Sequence, residues 1–400
     1  MNEILRRIDE KVVALFCDST TNGKRNYPKT RPHNKSDSPE LALQTTMKTN
    51  ASLLRHLATS VALCIAALST TASGQTTATT IPVGFITTTL PIAPSASSPS
   101  NTTISVPLYT SADFAGAVLS VDSTTTLTLT GANFSITPTP IFADVANPRL
   151  VRVKTSSTPS HVGKFFVVTT NTANQLTLKD AYAVTTDITS SISAGDTCEV
   201  LPANTLGKLF GVNAAGATSV FATGTFFKTG ASATLADNLL IWTGSTWASY
   251  YNNNTNWKTT GFINQNNTII YPDEGLFVIH RDTTSALTLT LMGTVPSTAE
   301  QTALPTGSTF LPNRFPTDTT LLASGIQNSP NWLAGPSAAN ADKVFIWNGA
   351  TWGAYYWNGT NWKTTGFLIQ DGKVIPAGTA IFITRSSASG ALTQALPYVP

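Results

Sequence analysis

The chain is expected to be all-β, with an N-terminal β-sandwich or barrel-like domain followed by two homologous small antiparallel β units packed as a pseudo-symmetric pair. Three observations lead there. Residues 230 to 262 return at 335 to 367, a constant offset of 105, and 21 of the 33 aligned residues are identical. After Gln75 the chain consists of short runs rich in Thr, Val, Ile, Leu and aromatics, punctuated by Gly, Asn, Asp and Pro, which is the pattern of strands and turns. No helical periodicity runs alongside it, except that Leu206 to Phe210 reads as one or two turns.

Residues 1 to 46 carry eight Lys/Arg and six Asp/Glu with few clustered apolar side chains. Such a composition buries too little surface to fold, so this stretch is expected to be a disordered or wrongly assigned N-terminal extension. Residues 47 to 74 have the three-part build of a cleaved signal peptide. Lys48, Arg55 and His56 precede an apolar run from Leu57 to Leu68, and Ala72-Ser73-Gly74 follows before Gln75. The run has about a dozen residues against the roughly 20 of a spanning helix, so export without a stable membrane span is expected. Cys64 follows Leu63 rather than a small residue and reads as an ordinary part of the signal.

Of the 24 Lys+Arg, ten lie before Gln75, leaving 14, and of the 21 Asp+Glu six lie there, leaving 15. The exported portion is therefore near neutral and offers no basic patch for nucleic acid. Cys198 is the one cysteine after Gln75, which excludes an intramolecular disulfide and a cysteine-based metal site in that portion.

Residues 75 to 203 read as the N-terminal β domain. In Thr124 to Thr130, Leu127 and Leu129 alternate with threonines, as in a half-buried strand. Gly163 to Thr170, Asn171 to Asn174 and Gln175 to Lys179 read as strand, turn and strand, asparagine being apt at the bend. Residues 204 to 300 and 301 to 400 are the two repeated units. Each reads as a meander: Leu239 to Trp242, Trp247 to Tyr251, Trp257 to Phe262, Leu276 to Arg281 and Ala286 to Val295 in the first, with matching runs in the second. All eight tryptophans fall in this half. Alternation sends Trp247, Ser249 and Tyr251 to one face of their strand and Tyr250 to the other, so some aromatics must be exposed or lie between the two units.

The opening Ile81-Pro-Val-Gly-Phe85, the run Gly163 to Val168, Ala194-Gly-Asp196, Asn204-Thr-Leu206 with Leu209-Phe210-Gly211, Ala236-Asp237 and Pro272-Asp-Glu-Gly275-Leu-Phe-Val resemble an uncharacterised bacterial family of exported, often paralogous, Thr-rich β proteins. The resemblance covers most of the exported chain and implies fold class and export, but no activity. The texture Trp347-Asn-Gly-Ala-Thr-Trp352-Gly-Ala-Tyr-Tyr356 is also similar to the aromatic repeats of bacterial cell-wall and glucan-binding modules. Those recur every 20 or so residues, against two copies here, so the similarity is local.

Candidate chemistry is sparse. Only His161 and His280 remain after Gln75, and neither has the spacing of a metal site or a nucleophile–base pair. His280 aligns with Thr384 if a one-residue gap is allowed. Asp273 and Glu274 are adjacent on a turn, where side chains diverge rather than face one substrate. Asp237 and Asp342 recur in both units, where a side-chain bond to the preceding turn accounts for them. No phosphate loop, nucleophile elbow or zinc signature is present, so neither a cofactor nor a metal is expected. The expected function is a non-enzymatic structural or adhesive role at the cell surface or outside the cell, with a polysaccharide or another surface protein as partner. The alternative is a carbohydrate-binding module that uses Trp247, Tyr251, Trp352 and Tyr356, because exposed aromatic faces grip sugar rings.

Overall fold

The strands follow from alternating or short apolar runs between turn residues, and among the described residues their pairing is antiparallel. A computed structural model describes residues 82–399 except 96, 135–143, 181–186, 213–221 and 225–226, all within the unit Thr79–Pro400. The expected extension, signal peptide and cleavage point lie outside the described residues. Among the described residues no helix is long and apolar enough to cross a membrane.

The chain opens with β1 (Val83–Leu90) and β2 (Ser100–Ile104), then forms a closed six-stranded barrel. Its strands are β3 (Phe114–Val121), β4 (Thr126–Leu129), β5 (Arg149–Thr155), β6 (Phe165–Asn171), β7 (Gln175–Asp180) and β8 (Thr197–Pro202), in the order β3-β4-β7-β6-β5-β8. Leu127, Leu129, Val151, Phe166, Leu176 and Val200 fill its interior. The expected turn between β6 and β7 is present, closed by the Thr172 N–H donating to the Gln175 carbonyl at 3.0 Å.

After β9 (Asn204–Thr205) comes α1 (Leu206–Phe210), whose first turn is capped by the Thr205 hydroxyl accepting from the Lys208 N–H. The first unit continues with β10 (Ala222–Gly224), β11 (Asn238–Trp242), β12 (Trp247–Asn252), β13 (Trp257–Lys258), β14 (Ile269–Ile270), β15 (Leu276–His280) and β16 (Leu287–Thr294). The second contains β17 (Glu300–Leu304), β18 (Gly307–Pro312), β19 (Thr319–Thr320), β20 (Lys343–Trp347), β21 (Trp352–Trp357), β22 (Trp362–Thr364), β23 (Val374–Ile375), β24 (Ala380–Arg385) and β25 (Gly390–Gln394). The main sheets run β13-β12-β11-β15-β2 and β22-β21-β20-β24-β18. In each, one face buries an aliphatic core: Leu239, Ile241, Leu276 and Val278 over Trp257 in the first, Val344, Ile346, Ile381 and Ile383 over Trp362 in the second.

This pairing draws a different boundary from the one expected at residue 203. Strands β1 and β2 pair with β16 and β15 of the first unit, in the places that β17 and β18 take against β25 and β24 in the second. Ile104 and Leu311 hold matching positions opposite Leu276 and Ile381, as do Thr205 and Thr320 opposite Ile269 and Val374. Between those landmarks the second unit has a short loop where the first carries the whole barrel. The barrel is thus set into a loop of the first unit, whose opening hairpin lies far from its other strands in sequence. The neck of the insertion is closed by the Thr110 hydroxyl donating to the Pro202 carbonyl at 2.6 Å.

A second difference concerns the expected strand from Trp257 to Phe262. It stops at Lys258, because the chain turns at Thr259 and Phe262 takes a left-handed φ of 64°; Phe367 does the same at 65°.

Candidate functional site: an aromatic seam

The faces of β11, β12 and β15 that do not bury the aliphatic core carry Leu240, Trp242, Trp247 and Phe277, and the matching strands carry Phe345, Trp347, Trp352 and Phe382. These two faces meet. Trp242 packs edge-to-face on Phe382 at 5.0 Å and Trp347 on Phe277 at 5.4 Å. Within each unit the tryptophan pair, Trp242 with Trp247 and Trp347 with Trp352, has the same 5.2 Å separation. Edge-to-face rings at these distances are favoured by the aromatic quadrupole. The hydrogen bonds are reciprocal too: the Trp242 indole N–H donates to the Ser308 carbonyl and that of Trp347 to the Asn101 carbonyl, each at 3.0 Å. Each residue contacts the counterpart of its own partner, as in an isologous interface.

The symmetry is broken where β2 carries Thr103 and β18 carries Phe310. Phe310 lies against both Trp247 and Trp352, at 5.1 and 6.1 Å. A β-carbon at Gly275 would lie 2.6 Å from that of Ala380 and 2.8 Å from the Phe310 ring, so the close approach of the sheets requires glycine there.

Of the four proposed ligand residues, the structure brings two together. Trp247 and Trp352 line one solvent-open groove of about 290 Å³ with Phe345, Phe382 and Thr384. Among the described residues neither indole N–H has a protein acceptor, unlike those of Trp242 and Trp347. Tyr251 and Tyr356 are not available at the surface; they are 1% and 0% exposed, and Tyr356 donates its hydroxyl to the Pro336 carbonyl. Alternation places both on the seam face, but they stand at the end of the sheet that the chain covers. Phe345, Phe382 and Thr384 were missed by the sequence reading, although stepping two residues back from Trp347 would have found Phe345. The Thr384 hydroxyl is buried without a hydrogen-bond partner, a cost of about 1–3 kcal/mol unless something pairs with it.

The titratable groups elsewhere are engaged in packing. The offset of 105 runs without a gap through β15, because Asn238 opposes Ile279 as Lys343 opposes Thr384. The counterpart of His280 is therefore Arg385, not Thr384. Asp237 accepts from the Lys228 and Arg281 N–H groups and from His280 Nδ1 at 2.8 Å, and Asp342 accepts from the Leu333 and Ser386 N–H groups. His280 Nε2 contacts the Ser285 carbonyl at 2.9 Å, so both ring nitrogens face acceptors and the charged ring satisfies both. Burial opposes that charge, but the hydrogen bonds to Asp237 and Ser285 outweigh it and raise the pKa above the ordinary imidazole value. His161 lies 3.3 Å from Asp196. Burial lifts the Glu274 carboxyl to about 8, partly countered by the Tyr271 N–H. Among the described residues no group of three or more His, Cys, Asp or Glu could hold a metal ion.

A buried ionic cluster joins the barrel to the second unit. Glu300 of β17 pairs with Arg152 of β5 and with Arg314, and accepts from the Tyr109 hydroxyl at 2.8 Å. Burial first, then the Glu300 charge, raises the Tyr109 pKa, and the Arg152 guanidinium lies over the Tyr109 ring at 4.6 Å.

The chain matches no family model, no curated protein and no solved structure.

Proposed function

We propose that the chain is an exported, non-enzymatic β protein with a structural or adhesive role at the cell surface or outside the cell. The observation that carries this reading is the way the two units and the barrel are fastened together, by the reciprocal aromatic seam and by Arg152, Glu300 and Arg314. Both histidines after Gln75 are bound to aspartates within the fold, which fits a scaffold. Fractionating the cells and sequencing the N-terminus of the recovered protein tests the proposal. It predicts a chain beginning near Gln75 in the envelope or medium; an intact chain in the cytoplasm would refute it.

One observation favours a second reading, carbohydrate binding. Trp247 and Trp352 converge on an open groove with their indole N–H groups free, which combines the apolar faces and donors that a sugar ring uses. A glycan array probed with the exported chain tests it, with Trp352→Ala as control. Binding that survives the substitution would remove this site.

A further inference from the structure

The groove belongs unequally to the two units. Trp247 comes from the first, whereas Phe345, Trp352, Phe382 and Thr384 come from the second. Exchanging the units by the offset of 105 would build the opposite groove from Trp352, Leu240, Trp247, Phe277 and Ile279. That set has a leucine in place of the Phe345 ring and an isoleucine in place of the Thr384 hydroxyl. Phe310, where the first unit has Thr103, breaks the symmetry further.

We infer that the chain carries a single sugar subsite, on the second unit's side of the seam, and that it takes a neutral polysaccharide strand rather than an acidic one. This rests on the carbohydrate reading above and specifies its ligand and stoichiometry. None of the five lining residues is charged, and the nearby Lys343 ammonium is held by the Ala338 carbonyl at 3.2 Å. A carboxylate or sulfate would be desolvated there without a cationic partner. A neutral pyranose strand would instead lay its C–H face on the indole of Trp352 or Trp247. Its hydroxyls would meet the free indole N–H groups of Trp247 and Trp352. A wholly apolar ligand would leave those donors unpaired, which argues against one.

Isothermal titration of the full chain with cellohexaose, laminarihexaose, chitohexaose and an oligogalacturonate tests this. The expected result is that at least one neutral oligosaccharide binds at one per chain, that Trp352→Phe weakens it about fivefold to tenfold, and that the oligogalacturonate does not bind. Two equivalents per chain, unchanged affinity in Trp352→Phe, or preference for the acidic oligomer would overturn the inference while leaving carbohydrate binding in place. If no oligosaccharide binds, this inference falls, and if iodide also fails to quench the tryptophans the carbohydrate reading falls with it. Trp352→Phe retains a ring in the groove while removing the indole donor, and Trp247→Phe serves as a second variant.

Discussion

At the residue scale, the tryptophans show how one side chain does two jobs. Trp242 and Trp247 differ less in burial than in whether the indole N–H is bonded across the seam. Trp242→Phe should therefore lower stability by about 0.5–1.5 kcal/mol beyond the loss from Trp247→Phe, measured by urea unfolding; equal losses would mean that the Ser308 bond contributes nothing. The sequence marks Trp247 and Trp352 because they are repeated, but it cannot show that Tyr251 and Tyr356 are covered, since the covering chain comes from elsewhere in the fold. Two groups also set a pH dependence of one sign. His280 has a raised pKa, so its stabilisation is complete below about 6.5 and fades as pH rises through the folded value. Glu274, at about 8, favours the folded state when protonated and loses that advantage as pH climbs from the ordinary carboxyl range toward 8. Thermal melts should accordingly fall as pH rises through neutrality, and the slope should shrink in Glu274→Gln. A slope unchanged in that variant would contradict its share.

At the element scale, strand identity was legible where apolar and polar residues alternate, as in β4 and β7, and where short apolar runs are bounded by turn signals, as in β6, β11 and β20. Strand length was not, because β13 ends at a turn whose Phe262 adopts a conformation that the residue type disfavours. Phe262 and Phe367 are 63% and 60% exposed, so the strain is offset by little packing of the rings. Phe367→Gly should stabilise the chain by about 1 kcal/mol, measured by the urea midpoint; a clear loss would show that the exposed ring does pack. The membership of β1 and β2 was also hidden, since their partners β16 and β15 lie beyond the barrel and non-local pairing leaves no periodic trace.

At the scale of the whole molecule, the all-β class and the twin sheets could be read from composition and from the offset of 105, whereas the insertion of the barrel could not. The barrel and the paired units are expected to unfold as one cooperative body, fastened through Tyr109, Arg152, Glu300 and Arg314. Breaking a buried ion pair costs about 3–5 kcal/mol, so Glu300→Ala should lower stability on that order. The sequence supplies separate reporters for the two parts: all eight tryptophans lie in the units, and the barrel has the buried Cys198. The most direct measurement is equilibrium urea unfolding of a chain with Cys17 and Cys64 replaced by serine, followed in parallel by tryptophan fluorescence and by alkylation of Cys198. Coincident midpoints are expected; a Cys198 transition well below the tryptophan transition would show that the barrel unfolds on its own.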